Sequence, residues 1–189
     1  KFTNKNLTFC VPEDITSIVK DDQAEFDIKV YEGALVQQRF EVSEFDVNQR
    51  FILDNVGIDY TTLRVSVYGD AFTDDKVVYD LATSIREIDG DSKVYFLQEI
   101  PDERYELIFG DNIFGKKLEN GNIVEVSYIV SNGEDGNGAD LFRFVGNIVD
   151  NNNNVIDRDI SIIQTTNSAS GGLDIESVKS IKNYAGRIY

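Results

Sequence analysis

Two alternating apolar-polar runs separated by glycine turns fill residues 104–139, and this stretch constrains the fold more than any other. The first run ends at Gly110 and Asp111, and a second turn follows at Asn120 and Gly121. The second run leads into a loop of Gly, Asn, Asp and Glu. Alternating residues form strands that are buried on one face, and Gly, Asn and Asp favour the turns between such strands. The stretch therefore predicts a piece of β scaffold.

The same kind of pattern recurs over most of the chain. Phe26, Ile28 and Val30 alternate with polar residues, which predicts a strand over residues 25–31. Residues 1–11 predict one short strand. Further strands are expected at residues 34–42, 50–53, 63–68, 77–81 and 93–99, and a hairpin around the polar loop 150–154. The predicted fold class is mainly β, an antiparallel sandwich or barrel-like domain over residues 1–164, either whole or as two small subdomains split near residues 30–45.

The character of the chain changes after residue 164. Residues 165–172 are small and polar, as in a flexible linker, and residues 173–189 predict the start of a following helical region. The apolar positions of this short C-terminal helix share one face and are the candidate partner-interface residues: Ile175, Val178, Ile181 and Tyr184. That face packs either on the rest of a longer chain or on a partner. The absence of methionine indicates a fragment of a larger protein.

Charge and hydropathy narrow the possible partners. The formal net charge of −16 opposes a phosphate backbone, so we expect no nucleic-acid binding. No run of 18 apolar residues occurs, so no transmembrane helix is expected. The lone cysteine, Cys10, lies in an apolar run and is expected to be a buried structural thiol.

No constellation of residues points to catalysis. With no histidine, a Ser-His-Asp triad or Cys-His pair cannot form, and zinc loses its usual ligands. The glycines at 133, 136 and 138 are followed by no helical pattern, which argues against a phosphate loop. A loose calcium site at Glu134, Asp135 and Asn137 remains an alternative to a turn-rich loop. We therefore expect no enzyme, no cofactor and no small-molecule substrate.

The order and spacing of several short motifs resemble one family, the baseplate wedge proteins of contractile-tailed bacteriophages (the J-like baseplate family). The likeness covers most of residues 31–189 and only loosely residues 1–30, and Gly186 departs from the proline expected there. The motifs that carry it are YEG at 31–33, NQRF at 48–51, KVYFLQE at 93–99, YELIFGD at 105–111, GK at 115–116, GNIV at 121–124, YIVSNG at 128–133, NGA at 137–139, and the segment from Gly171 to Tyr184.

The resemblance implies a structural virion protein of the tail baseplate, assembled in the host cytoplasm. It implies binding to other baseplate wedge proteins, a homodimer in the full-length protein, and coupling to sheath contraction. It implies no catalytic residue. The alternative interpretation of a small acidic β domain is a carbohydrate- or surface-binding module, such as an adhesin or a receptor-binding tail domain.

Overall fold

The computed structural model describes residues 2–4, 7–46, 48–73, 75–162 and 165–173. The helical face predicted at Ile175, Val178, Ile181 and Tyr184 lies outside the described residues. The described chain is mainly β, as the sequence predicts. Its strands are β1 (Phe2–Asn4), β2 (Leu7–Cys10), β3 (Tyr31–Glu32), β4 (Ala34–Glu41), β5 (Phe51–Ile52), β6 (Ile58–Tyr68), β7 (Lys76–Leu81), β8 (Val94–Ile100), β9 (Arg104–Phe109), β10 (Ile123–Val130), β11 (Arg143–Phe144), β12 (Ile148–Val149) and β13 (Val155–Ile156).

The chain divides into two compact units. The first, here the barrel unit, comprises Val11–Lys29 and Ala34–Val130. The second, here the terminal unit, comprises residues 1–10 and 30–33 together with the chain from Ser131 onward. Short 3-10 turns occur at Ile85–Glu87 in the barrel unit and at Gly133–Gly136 in the terminal unit. None of the helical turns in the described ranges is long and apolar enough to cross a membrane.

A seven-stranded sheet builds the barrel unit, in the order β4-β10-β6-β7-β8-β9-β5. Every neighbouring pair is antiparallel except β7 and β8, which run parallel at Asp80–Val94 and Leu81–Tyr95. The sheet is therefore mixed, which differs from the all-antiparallel expectation in this one pair. Parallel neighbours need a long connection, and residues 82–93 provide it.

The two edge strands of this sheet meet through side chains, which makes the sheet a nearly closed barrel. Gln38 on β4 donates its amide hydrogen to the carbonyl of Ile52 on β5 at 3.1 Å and to Asp54 Oδ2 at 3.1 Å. The rings of Phe40 and Phe51 meet edge to face, with centroids 5.5 Å apart. In the described residues no backbone ladder joins β4 to β5. The seam is thus held by an amide and a ring pair, which hide the strand edges that would otherwise stay open.

The core fills the inside of this barrel. Alternating residues of the two longest central strands are fully or almost fully buried, since one face of each pleated strand points inward. Leu118, from the loop after β9, is also buried and packs in the same core. The main buried side chains are Leu53, Ile58, Leu63, Val65, Val67, Tyr79, Tyr95, Leu107, Leu118, Val124, Val126 and Tyr128.

The predicted strand over residues 25–31 is wrong. Only Tyr31–Glu32 is a strand, and residues 24–30 have no ladder partner. Phe26, Ile28 and Val30 are nevertheless half-buried, while the polar residues at 25, 27 and 29 are exposed. The alternation thus reports on side-chain burial correctly, but burial alone does not supply the neighbouring strand that a ladder needs.

The terminal unit contains a four-stranded sheet, in the order β11-β1-β2-β3, and a separate hairpin of β12 and β13. The single strand predicted for residues 1–11 is wrong, because β1 and β2 pair with each other as a hairpin. The hairpin predicted around residues 150–154 is confirmed, with shorter strands than expected. Cys10 is buried and donates its thiol hydrogen to the Gly33 carbonyl at 3.3 Å, which confirms a structural thiol.

Aspartates hold two of the loops at one end of the barrel. Asp111 Oδ1 accepts the backbone hydrogens of Ile113 and Phe114, both at 2.9 Å. Asp70 Oδ1 accepts the backbone hydrogen of Phe72 and the hydroxyl hydrogen of Thr73, both at 2.8 Å. Hydrogen bonds to a carboxylate favour its charged form. They hold the pKa of Asp111 and of Asp70 below the ordinary aspartate value, with the backbone bonds from Phe114 and from Phe72 as the largest causes.

The lowered pKa values of Asp111 and Asp70 predict that acid destabilises the two loops that these carboxylates hold. A carboxylate whose folded pKa is depressed stabilises the fold above its unfolded pKa of about 3.9 and loses that contribution as the pH falls through the folded value. We therefore expect the urea midpoint of the wild-type protein to fall more below about pH 4 than that of Asp111→Asn, whose amide oxygen still accepts both bonds but does not titrate. Comparing the two proteins removes the effect of neutralising the other acids. Parallel midpoint curves between pH 6 and pH 3 would contradict the capping role.

Candidate functional site

The loop that follows β10, residues 131–139, is the candidate functional site, because it joins two separate parts of the terminal unit, β3 and residues 169–172. We call it the hub loop. On one side it is held by Glu32 of β3. Glu32 Oε2 accepts the backbone hydrogen of Asn132 at 2.9 Å and the hydroxyl hydrogen of Ser131 at 3.2 Å, and Oε1 accepts the side-chain amide of Asn132 at 2.6 Å. Bonds to an ionised acceptor are stronger than neutral ones, so this carboxylate fixes where the hub loop begins.

On its other side the hub loop holds the segment that leads to the C-terminus. The side chain of Asn137 donates to the Gly172 carbonyl at 2.9 Å and accepts the Gly172 backbone hydrogen at 3.0 Å. Gly138 donates to the Ala169 carbonyl and Ala169 donates to the Ala139 carbonyl, each at 2.7 Å. Residues 169–172, which the sequence predicts to be linker, are therefore attached to the hub loop by four hydrogen bonds.

The glycines of this region have a steric explanation. A methyl group on Gly136 would lie 2.6 Å from Glu32 Cγ, and one on Gly172 would lie 2.3 Å from the carbonyl oxygen of Gly133. Real Cβ atoms essentially never make contacts this short. Of the three glycines whose spacing superficially resembles a phosphate loop, Gly136 is required by close packing, while Gly133 and Gly138 have positive φ of 70° and 82°.

The calcium alternative finds no support in this geometry. The oxygen of the Asn137 amide, which the ion would need, accepts the Gly172 backbone hydrogen instead. Across the described ranges, no group of three or more acidic or cysteine side chains is placed to hold a metal ion. The chemistry available at the hub loop is hydrogen bonding that positions a chain.

The sequence places the predicted partner-interface helix directly after this attachment. Its face at Ile175, Val178, Ile181 and Tyr184 lies outside the described residues, so the structure places only the chain that leads to it. Leu173, the last described residue, is 78% exposed. Sequence reasoning missed the part played by Glu32. The only signal was a charged residue next to Gly33 in an otherwise apolar pattern, which does not identify a partner a hundred residues away.

Removing the Asn137 side chain should release this attachment. In Asn137→Ala both hydrogen bonds to Gly172 are lost, and a net hydrogen bond is worth roughly 0.5–1.5 kcal/mol, so we expect the Gly172 amide to exchange with solvent about tenfold faster or more. Native-state hydrogen exchange measures this directly. Asn151→Ala, in the exposed turn of the β12–β13 hairpin, is the control and should leave the Gly172 rate unchanged. Equal rates in all three proteins would show that Asn137 does not hold the segment.

No model of a known protein family matches the chain. No curated protein matches it at a significant level.

Proposed function

We propose that this chain is a structural component of a contractile-tail baseplate wedge that takes part in baseplate assembly and in its coupling to sheath contraction. The proposal rests on the motif resemblance described above, and it makes the chain a non-enzymatic virion protein. Its partners are other baseplate wedge proteins, and the full-length protein forms a homodimer.

One observation carries the proposal: the motif glycines occupy positions where the backbone path depends on them. Gly110 and Gly115 pass so close that a methyl group on Gly110 would lie 2.0 Å from the Gly115 carbonyl oxygen. Gly121 closes the turn before β10 with φ of 83°. A resemblance that falls on such positions supports a shared backbone architecture, since surface similarity alone would not select them.

The hub loop adds a second line of support. A wedge protein has to transmit force between its neighbours, so its segments must be fixed relative to one another. Glu32 and Asn137 do this within the terminal unit, through hydrogen bonds to Asn132 and Gly172. A free-standing sugar-binding module has no need for residues 169–172 to be held in this way.

Co-expression of the full-length protein with the other tail proteins of its source tests the proposal. We expect a stable complex on size-exclusion chromatography with at least one of them, and a dimer mass by light scattering for the full-length protein alone. If no complex forms although every partner is folded, the proposal is wrong. A glycan array run on the same protein separates the alternative, because reproducible binding to one defined sugar would favour the carbohydrate-binding module.

A further inference from the structure

Three loops at one end of the barrel unit present bare apolar side chains to solvent. Strands β4 and β6 run in the same direction, because both are antiparallel to β10, which lies between them. Strand β9 also runs in this direction, because two antiparallel pairs and one parallel pair separate it from β6. The loops that follow these strands therefore leave the barrel at the same end. Their tips carry Phe45, Phe72 and Ile113, which are 87%, 97% and 66% exposed. We call these three tips the crown.

The three crown tips share one hydrogen-bond pattern. The residue two positions before each apolar side chain accepts that residue's backbone hydrogen. Ser43 accepts it from Phe45 at 3.3 Å, Asp70 from Phe72 at 2.8 Å, and Asp111 from Ile113 at 2.9 Å. Each bond fixes a turn, so the apolar side chains are held outward by ordered backbone.

Two of the crown loops are each tied to the third, the loop between β9 and β10. Asn120, before β10, accepts the backbone hydrogen of Glu44 at 3.0 Å, and Asn122 donates to the Gly69 carbonyl at 3.0 Å. The turn between β9 and β10 thus braces the loops of Phe45 and Phe72. A partner would meet apolar anchors that are already in place, and such anchors bind at a lower entropic cost than anchors on mobile loops.

Charge decides what kind of partner fits. Among the described residues of the three loops, 42–50, 69–75 and 110–122, exposed acids outnumber exposed basic residues by six to two. The acids are Glu44, Asp46, Asp70, Asp75, Asp111 and Glu119, and the basic residues are Arg50 and Lys117. Arg50 is already paired with Glu106. Two crowns would repel each other in a chain of net charge −16, which disfavours a second copy as the occupant.

We propose that the crown is a docking surface for a protein of different sequence, one that presents apolar pockets surrounded by lysine and arginine. The phenylalanines fill the pockets, and the surrounding acids steer and orient the basic surface. This inference rests on the proposed function, because its occupant is one of the other tail proteins. It assigns the contact to the barrel unit, separately from the helical face predicted near the C-terminus.

The test measures affinity for each tail protein that co-purifies with the full-length chain. Phe45→Ser and Phe72→Ser should each weaken binding roughly tenfold or more, as anchor residues do in other interfaces. Raising the salt concentration should weaken binding of the wild-type protein, because charge attraction is screened. Leu141→Ser, an equally exposed apolar residue in the terminal unit, is the matched control and should leave the affinity unchanged. Both phenylalanine side chains lie in solvent, so the variants should keep the wild-type urea midpoint.

The possible results separate the crown from the proposed function. A complex that forms with the same affinity for all variants would overturn the crown while leaving the proposed function standing. Failure of any complex to form would overturn both. Flotation with phosphatidylcholine vesicles and sedimentation of the chain alone cover the other occupants. Phe72-dependent vesicle binding, or Phe72-dependent self-association, would overturn the choice of a basic protein partner.

Discussion

Replacing Gly110 with alanine is expected to lower the free energy of unfolding by about 3 kcal/mol. The new methyl group would lie 2.0 Å from the carbonyl oxygen of Gly115 and 2.1 Å from its carbonyl carbon. Both atoms belong to the backbone, so no side chain can rotate away to relieve the overlap. Gly115 is itself fixed, because it donates to the Asp89 carbonyl at 2.8 Å and its own carbonyl accepts from Asn112 at 2.9 Å. The strain therefore spreads through the joined loops.

Urea denaturation measures this effect. The matched control is Gly69→Ala, where the nearest atom to the added methyl group is Thr73 Oγ1 at 4.0 Å. We expect the control to change stability by less than about 0.5 kcal/mol, as ordinary surface substitutions do. If Gly110→Ala were as stable as Gly69→Ala, the close approach of Gly110 and Gly115 would not explain the glycines of the YELIFGD and GK motifs.

Replacing Thr62 with valine is expected to cost about 2 kcal/mol or more, although the two side chains have nearly the same shape. Thr62 is fully buried at the point where the register between β6 and β10 shifts, between Ser127 and Ile129. Its hydroxyl donates to the Asp59 carbonyl at 2.7 Å and accepts the Ile129 backbone hydrogen at 3.0 Å. Valine would leave the buried Ile129 N–H and the half-buried Asp59 carbonyl without this partner.

Thr62→Ser separates the hydroxyl from the methyl group. Serine keeps both hydrogen bonds and loses one methyl group, so we expect a loss of about 1 kcal/mol. The order of stability should be threonine, then serine, then valine. If Thr62→Val proved more stable than Thr62→Ser, the hydroxyl group would not be what stabilises the register shift between β6 and β10.

Much of the barrel follows from local pattern. Strands β4, β9 and β10 lie where alternation predicts them, and β7 and β8 lie where β-branched and aromatic residues predict them. Strand β6 includes the predicted residues 63–68 but begins five residues earlier, at Ile58. The failures have physical reasons as well. Residues 25–30 alternate but pair with no strand, and the parallel pairing of β7 with β8 depends on the path of residues 82–93. The seam at Gln38 joins residues that no local rule brings together.

The candidate sites were less predictable than the fold. The glycines and asparagines of residues 131–139 were visible in the sequence, but their partners Glu32 and Gly172 are distant in the chain. The crown tips were hidden for a different reason. Phe45 and Phe72 are apolar residues in turns, and a sequence does not show whether such residues fold inward or outward. Only the Ser43 and Asp70 caps reveal that these tips are held outward.

Immunogold electron microscopy of intact contractile-tailed particles from the source of the protein tests the central claim most directly. The antibody is raised against the chain, and the preparation is compared with particles assembled without it. If the chain is a baseplate wedge protein, gold labels the end of the tail away from the head, and particles that lack the chain have no complete baseplate. Gold on the fibre tips or on the head, with normal baseplates in particles that lack the chain, would contradict it.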